Sequence, residues 1–410
     1  MQRIVTQHIA GLAIAAAVAG APMVHGQVPQ TIRVGFAISM TGPNSFGAKT
    51  TVIPNYRLWA KEVNAAGGIM LSRIGKRLPV TLVEYDARST VDDAVADVQR
   101  LITVDKVDFI LPPWGTRLNI AVGPLFYRAG YPLLAVTALS DEAPELGKRW
   151  PNSFWFLGTM TGAARALAGT LSELRAAGKV GDRLAMVNVA DRFGVGLAAA
   201  GRRIFKKNKF EIVYDRPYPV ETTSMVQIIA EVKRLDPDIF VAFSYPADTM
   251  AITEAARAAA FNPKVFYTAV GTAYAAYRQH FGADAEGVMG IGGWDADAPA
   301  SREYFRRFVA ANGEEPDRWA SPVTYASLQM LQQAIERVGR IDRAAVIKEL
   351  QTGTFATVLG PVKMQDNLYT RPWYVGQWQH GEFYGLAPAT LRGAHQVMFP
   401  KPPWHANPGQ

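Results

Sequence analysis

The chain has 410 residues, of which 49% are hydrophobic and 19% charged, so it can form two ordinary hydrophobic cores and does not have the composition of a disordered protein. It contains no cysteine, which excludes disulfides, thiol catalysis, cysteine-ligated metals and a cysteine-linked lipid anchor. The 43 Lys and Arg residues exceed the 35 Asp and Glu residues, and the resulting charge of +8 is spread along the chain without a basic arm or tail.

The first residues have the pattern of a secretory signal peptide. Arg3 supplies positive charge, residues 9–18 form a short Ala-rich apolar run, and Gly26 offers a small residue for cleavage before Gln27. The apolar run is too short for a comfortable membrane span, and no later run reaches that length. We therefore expect residues 1–26 to be removed near Gly26/Gln27, leaving a free periplasmic protein in a bacterium with two membranes.

Strands and helices alternate from residue 31 onwards. Residues 31–38 (TIRVGFAI) predict a strand, and the apolar positions of 52–63 recur at helical spacing. The loop between them is not a phosphate-binding loop, because Ala48 separates Gly47 from Lys49 and breaks the required spacing.

A second strand and helix follow directly. Residues 78–85 predict the strand, and we expect Ser89 to cap a helix whose apolar positions keep a 3.6-residue period over 91–102. Repetition of this pattern in the next segment indicates a doubly wound α/β sheet.

The most informative stretch is residues 107–140. Two short apolar runs, 107–111 and 133–136, flank a segment with helical spacing, and small polar residues follow each strand at Gly115-Thr116 and 137–140. Ligands of open α/β sheets lie beyond the carboxyl ends of strands, and the free N–H groups of a helix start favour a carboxylate or phosphate. The other interpretation is that Thr116 and Ser140 only cap helices, as such residues usually do.

The alternation restarts near residue 154, which predicts a second α/β lobe. Its predicted strands are 184–189, 211–214, 238–243, 265–268 and 288–291, and its predicted helices are 164–177, 196–207, 223–235 and 247–260. Three more helices are predicted at 304–311, 324–338 and 344–350. Residues 373–378 and 382–386 then predict a hairpin, and the Pro-rich tail 400–410 is expected to be frayed.

The densest basic cluster is residues 202–209, RRIFKKNK. Its helical spacing leaves Ile204 and Phe205 to face inward, so we interpret the cluster as a solvated helix face. No aromatic-basic signature of nucleic-acid binding accompanies it, and we expect no nucleic-acid partner.

Several short strings occur in a specific order along the chain. They are ISMTGP at 38–43, Phe46-Gly47, NAAGGI at 64–69, Gly115-Thr116, AGYP at 129–132, DRFG at 191–194, TYASLQ at 324–329 and Gly360-Pro361. Together with the order of the elements, they resemble the periplasmic solute-binding proteins of branched-chain amino-acid type ABC transporters, such as the leucine/isoleucine/valine-binding proteins. The resemblance spans essentially all of the mature chain.

This resemblance implies a type I periplasmic binding fold, in which two doubly wound, Rossmann-like α/β lobes are joined by a hinge that the chain crosses three times. The crossings would fall near 156–159, 291–294 and 359–361. The N-terminal lobe would then hold 31–157 plus 293–359, the C-terminal lobe 158–292 plus 360–399, and the tail 400–410. A monomer would close around a small molecule and present a shape that an inner-membrane ABC permease recognises.

Catalysis has little support in the sequence. None of the four histidines after residue 27 lies near a nucleophile turn or in a metal-ligand spacing, and the GxSxG and HExxH motifs are absent. The carboxylate pairs Glu142/Glu145 and Asp295/Asp297 are more typical of surface charges on loops. We therefore expect no catalytic residue, no metal site and no cofactor.

A ligand sensor is the alternative from a different class, because amide-responsive cytoplasmic regulators and receptor ectodomains share this fold by resemblance. The signal peptide speaks against a cytoplasmic regulator. The absence of a spanning run speaks against a self-contained receptor.

The resemblance also implies a cradle for a ligand carboxylate. Thr116 falls where a hydroxyl and a backbone N–H meet the carboxylate, and Thr137 and Leu139 fall where backbone groups complete the cradle. Gly115 and Ala138 belong to the same two turns and complete the expected set.

Aromatic residues are expected to form the walls of the site. Phe46 from the first lobe and Phe193 from the second fall at aromatic positions that face the ligand, although either could equally be a core residue. Tyr245, which precedes Pro246 at a strand end, is better placed for a site. Trp114 stands where a small residue is usual, and it would narrow the cleft, stack on an aromatic ligand or simply pack.

Val270 is the clearest departure from the amino-acid-binding pattern, because it falls where an acidic residue usually pairs with the ammonium group of the ligand. Burial of an ammonium group without an anion is costly. We therefore expect a small organic acid with an aromatic or branched body and no α-ammonium. The alternative is an amino-acid ligand whose ammonium is met by Asp191 or another acid.

Overall fold

The structure is a computed structural model that describes residues 30–405. The predicted signal peptide and its cleavage site lie outside these residues, as do residues 406–410. Among the described residues, every helix is too short or too polar to cross a membrane. The chain forms two α/β lobes, as predicted.

The first lobe is formed mainly by residues 30–155. Its elements are β1 (Ile32–Ile38), α1 (Ser45–Thr51), α2 (Ile53–Ala65), β2 (Ile69–Leu71), β3 (Lys76–Leu78), β4 (Val80–Asp86), α3 (Val91–Thr103), β5 (Phe109–Leu111), α4 (Thr116–Ala129), β6 (Leu133–Ala135), α5 (Ala143–Arg149) and β7 (Ser153–Trp155). Strand β1 lies between β4 and β5, and all three are parallel. Parallel strands are covered on both faces, which explains why Phe36 and Phe109 are fully buried.

The second lobe begins after β7. Its elements are α6 (Met160–Ala176), β8 (Arg183–Val189), α7 (Arg192–Lys207), β9 (Glu211–Tyr218), α8 (Val226–Arg234), β10 (Ile239–Phe243), α9 (Pro246–Ala258), β11 (Val265–Thr268), α10 (Ala275–Phe281) and β12 (Met289–Gly290). Ile204 and Phe205 of α7 are buried, as their spacing predicted. Two of the neighbouring arginines are ion-paired, Arg202 with Asp215 and Arg203 with Asp141.

The chain then returns to the first lobe and finally to the second. The remaining elements are α11 (Arg302–Asn312), α12 (Ser321–Val338), α13 (Arg343–Thr352), β13 (Phe355–Thr357), β14 (Gly360–Val362), β15 (Val375–Gln379) and β16 (Glu382–Ala387). Helix α12 lies on α2, where Trp59 Nε1 donates to Gln332 Oε1 at 3.2 Å. The predicted hairpin β15–β16 joins the second sheet beside β12, which gives the order β16-β15-β12-β11-β10-β8-β9.

The third passage between the lobes comes later than the boundary expected at 359/360. Gly360 and Pro361 lie in the antiparallel β13–β14 hairpin. Residues 367–369 still belong to the first lobe, because Trp155 N donates to Asn367 O and Tyr369 N donates to Trp155 O, both at 2.8 Å. The chain enters the second sheet only at β15. The Gly-Pro pair begins the second strand of a hairpin, which sequence alone does not distinguish from a passage.

One local expectation, the cap of α3, also differs from the structure. Thr90, not Ser89, caps α3, since its hydroxyl accepts from Asp93 N at 3.1 Å. The Ser89 hydroxyl instead accepts from Asn44 N at 3.0 Å and donates to Thr41 O at 2.7 Å, which fixes the loop after β1.

The described part of the tail is docked rather than frayed. Trp404 Nε1 donates to Phe261 O at 2.6 Å, and its ring meets Phe266 edge-on at 5.3 Å. Lys401 is only 4% exposed. The expectation of a frayed tail is therefore wrong for residues 400–405, because Pro-rich composition carries no information on whether a segment packs against the second lobe.

Candidate functional site

The two lobes touch each other where the carboxyl ends of their strands meet. Arg192 of the second lobe pairs with Glu142 of the first at 2.5 Å. Deeper in the cleft, Arg117 Nε at the start of α4 lies 3.4 Å from Asp191 Oδ1 at the start of α7. The cleft between the lobes is therefore closed in this structure.

The five residues of the predicted cradle come together at the ends of β5 and β6. Gly115, with φ +92°, precedes α4, and its N–H donates to Thr137 Oγ1 at 3.0 Å. The hydroxyl of Thr116 accepts from Leu139 N at 3.1 Å and approaches Leu139 O at 3.3 Å, so it holds the second turn and is not free for a ligand. Ala138 is fully buried between these contacts.

Backbone N–H groups remain without a helical acceptor at the start of α4. Gly115, not Thr116, is the N-cap of this helix. The helix dipole adds a favourable field for a negative charge at this end. Ser140 makes only a local turn, in which its hydroxyl accepts from Glu142 N at 3.1 Å.

The four predicted aromatic residues lie at the boundary between the lobes. Trp114 is 1% exposed, and its ring is 5.4 Å from Tyr245 of the opposite lobe. Tyr245 in turn stacks on Phe193 at 5.3 Å, with 15° between the ring planes. Phe46, partly buried, meets Tyr274 of the opposite lobe edge-on at 5.8 Å.

Two members of this aromatic cluster were missed in the sequence. Tyr274 follows Val270 in the turn after β11, so its nearness to a predicted site residue was an available signal. Trp319, whose ring is 6.4 Å from Trp114, precedes α12 and is distant in sequence from every other member. Only the tertiary structure identifies it. We call Phe46, Trp114, Phe193, Tyr245, Tyr274 and Trp319 the aromatic cluster.

Both carboxylate oxygens of Asp191 already interact with other groups of the protein. Its Oδ2 accepts from the hydroxyl of Tyr245 at 2.7 Å, and its Oδ1 accepts from Arg192 N at 2.7 Å and faces Arg117. Burial, and then the charge of Asp191, raise the pKa of Tyr245 well above its ordinary value, so the phenol stays protonated and remains a donor. Arg117, which sequence reasoning did not select, thus supplies the counter-charge of this acid.

Val270 lies in the second lobe with its side chain 1% exposed. Its backbone is fully engaged, because its N–H donates to Ser244 O at 3.1 Å and its carbonyl accepts from Thr249 Oγ1 at 2.7 Å. The position therefore contributes an apolar surface and no charge.

Gly194 fixes the start of α7, the helix that carries Asp191 and Phe193. A Cβ atom at Gly194 would lie 2.2 Å from Val189 O and 3.0 Å from Val189 N, and backbone atoms cannot move aside cheaply. Gly194→Ala is therefore expected to lower the free energy of unfolding by about 1–3 kcal/mol, as measured by urea denaturation.

The matched control for that variant is Gly169→Ala on α6. A Cβ atom there meets nothing within 4 Å, and alanine is the better helix former, so stability should be unchanged or rise by up to about 1 kcal/mol. Equal effects of the two substitutions would show that the contact with Val189 does not constrain α7.

A separate cavity of about 540 Å³ lies near the hinge, outside the aromatic cluster. Trp294, Tyr369 and Trp373 line it together with the charged residues Arg371 and Asp295. None of the residues predicted for the site lies in its wall.

Comparison with known proteins places the chain in a family. The sequence model described as "Periplasmic binding protein" matches residues 31–382. Leu/Ile/Val-binding protein homolog 7 of Brucella suis biovar 1 is 23% identical over 407 residues, which cover 93% of this chain and 96% of that protein.

Two solved structures show the same fold. The substrate-binding protein LivJ of Streptococcus pneumoniae, in complex with isoleucine, has a TM-score of 0.74 at 21% identity and covers 86% of this chain and 97% of its own. An ABC transporter solute-binding protein of R. palustris, in complex with benzoate, has a TM-score of 0.76 at 18% identity and covers 90% of this chain and 99% of its own. The chain belongs to the periplasmic binding protein family, and its fold is that of the branched-chain amino-acid transporter type.

Proposed function

We propose that the protein is a periplasmic solute-binding protein that captures a small organic acid without an α-ammonium group and delivers it, as a monomer, to an inner-membrane ABC permease. Membership of the family supports the binding and delivery role. The residues of the cleft support the chemical class of the solute.

The observation that carries the ligand class is that neither position expected to meet an ammonium group offers a free acid, because residue 270 is Val and Asp191 is already paired. Another acid, Asp317, is buried beside the cluster, but its oxygens already accept from the N–H groups of Trp319, Ala320 and Ser321. Val270 is buried and apolar. Asp191 is the acid that could replace it, but its oxygens accept from Tyr245 and Arg192, and its charge is paired with Arg117. An ammonium group buried there would lose its hydration without gaining a counter-charge, which is costly.

The other groups of the cleft favour a carboxylate on an apolar body. The N-terminus of α4 offers backbone N–H groups and a favourable dipole to the carboxylate. The rings of Trp114, Phe193 and Tyr245 form a continuous apolar surface that suits an aromatic or branched chain. One structural neighbour holds isoleucine and another holds benzoate, so the fold accommodates both an amino acid and an aromatic acid lacking an amine.

Calorimetric titration tests this proposal directly. Leucine would be compared with 4-methylpentanoate, and phenylalanine with 3-phenylpropanoate, so that each pair differs only in the amino group. The acid without the amine is expected to bind at least about tenfold more tightly, because an unpaired charged group forgoes hydrogen bonds of about 1.5–3 kcal/mol. Tight binding of the amino acids with no binding of their counterparts would instead establish an amino-acid-binding protein.

A further inference from the structure

Two polar atoms of the aromatic cluster have no partner. Among residues 30–405, the hydroxyl of Tyr274 and Nε1 of Trp319 are buried and make no hydrogen bond. Tyr274 is 0% exposed and Trp319 is 4% exposed, so water does not readily satisfy either group in the closed form. An unsatisfied buried donor costs about 1–3 kcal/mol, which is why such groups usually have a partner.

The two side chains come from neighbouring backbone positions on opposite lobes. Arg318 N donates to Ala273 O at 3.0 Å, and these residues directly precede Trp319 and Tyr274. The ring of Tyr274 meets Phe46 edge-on, and the ring of Trp319 meets Trp114 edge-on. The two unsatisfied groups therefore belong to residues whose backbones are adjacent where the lobes meet.

We propose that the solute carries a neutral oxygen, a hydroxyl or a carbonyl, in addition to its carboxylate, and that Tyr274 Oη and Trp319 Nε1 donate to this oxygen. The inference rests on the proposed function and narrows it. The substrate class becomes hydroxy- or oxo-substituted aromatic or branched carboxylic acids.

Charges around the pair explain why the acceptor should be neutral. The carboxylate of Asp317 is buried nearby, where it accepts from the N–H groups of Trp319 at 2.8 Å and Ala320 at 2.6 Å. Arg318 cannot offset a further negative charge, because its guanidinium is paired with Glu315 at 3.0 Å and Glu382 at 2.5 Å. A second carboxylate on the solute would meet repulsion without a free cation.

Both groups can act as donors. Burial, with a further contribution from the charge of Asp317, raises the pKa of Tyr274 well above its ordinary value, so its hydroxyl keeps its proton. The indole N–H can only donate. An oxygen with two lone pairs satisfies both groups at once.

The test is calorimetric titration of the full mature protein with a series of related acids. The probes are benzoate with 3-hydroxybenzoate and 4-hydroxybenzoate, 3-phenylpropanoate with its 4-hydroxyphenyl derivative and with phenylpyruvate, and the dicarboxylate terephthalate. At least one oxygen-bearing acid is expected to bind about tenfold or more tightly than its parent, since two unsatisfied donors gain a partner. Terephthalate is expected to bind more weakly than benzoate.

The variants Tyr274→Phe and Trp319→Phe remove one donor each. In both, the preference for the oxygen-bearing acid over its parent should fall to less than about threefold, whatever the affinity for the parent acid. Tyr274→Phe deletes only an atom without a partner, so its thermal midpoint without solute should not fall, and this variant decides the question if Trp319→Phe does not fold.

Three outcomes would overturn the inference. Parent acids that bind without any preference for added oxygen would refute it and leave the proposed function standing, as would a preference that survives in Tyr274→Phe. If none of the acids binds, the proposed function fails, and the inference fails with it.

Discussion

Alanine in place of Trp155 is expected to lower the free energy of unfolding by about 3–5 kcal/mol, the usual cost of removing a large buried aromatic side chain. Trp155 is fully buried, and its Nε1 donates to Ser153 Oγ at 3.0 Å. The backbone of Trp155 also hydrogen-bonds to Asn367 and Tyr369. The cavity left by the substitution would therefore lie beside the segment that leads into the last passage between the lobes. Urea denaturation followed by far-ultraviolet circular dichroism measures the loss.

The control for this variant is Tyr127→Ala on α4. Tyr127 is 46% exposed, and surface substitutions usually change stability by no more than about 0.5 kcal/mol. A loss below about 1 kcal/mol for Trp155→Ala would mean that this indole does not belong to the core that anchors residues 367–369.

Asp248 is expected to make stability depend on pH between about 4 and 6. Its side chain is buried at the start of α9, and burial raises its pKa from 3.8 to about 6, although its Oδ2 accepts from Tyr245 N at 3.2 Å and Tyr218 Oη at 3.1 Å. The unfolded chain therefore releases this proton at a lower pH than the folded protein. Well below pH 4 the carboxyl is protonated in both states and does not lower the free energy of unfolding. As the pH rises towards 6, the free energy of unfolding falls, because the carboxyl ionises in the unfolded chain but not yet in the folded protein.

Asp248→Asn removes this titration. Between pH 3 and pH 7 the unfolding free energy of the wild type should fall relative to the variant by about 3 kcal/mol, because each pKa unit corresponds to about 1.4 kcal/mol. Urea denaturation of both proteins at several pH values gives the difference. A difference independent of pH would show that Asp248 is not desolvated in the folded protein.

Asp284 is expected to change stability with pH in the direction opposite to Asp248. Burial raises its pKa, but hydrogen bonds from His405 and the charge of Arg257 outweigh this effect and hold the pKa below its ordinary value. Ionised Asp284 therefore stabilises the folded protein at a pH above the pKa that its carboxyl has in the unfolded chain. This stabilisation is lost as the pH falls and the carboxyl takes up a proton. The wild type should therefore gain stability over Asp284→Asn as the pH rises, whereas it loses stability relative to Asp248→Asn.

The parts of the fold that could be predicted are those with a strong local pattern. Strand β1 has only one charged residue, Arg33, and α3 keeps a clear helical period, so both lie close to their predicted positions. The hairpin β15–β16 is equally local, because alternating residues flank a short turn. The passage lies later than 359/360 because a Gly-Pro pair has the same local pattern at the start of a hairpin strand and in a connection between lobes.

The candidate site was predictable to a similar degree. The turn at Gly115 and the polar residues after β6 are local features of strand ends, and the structure brings them together. The hydroxyl of Thr116 was assigned to a ligand because its partner, Leu139, lies 23 residues away. Trp319 and the pairing of Asp191 with Arg117 depend on contacts between lobes, which no local pattern contains.

The contact between Trp114 and Tyr245 has an optical consequence. In the closed form the indole of Trp114 is 1% exposed, donates to Thr51 Oγ1 at 3.0 Å and lies against a ring from the opposite lobe. Separation of the lobes replaces that ring by solvent and moves the emission of Trp114 to longer wavelength. We therefore expect Trp114, one of nine tryptophans in the chain, to report separation of the lobes without an attached dye.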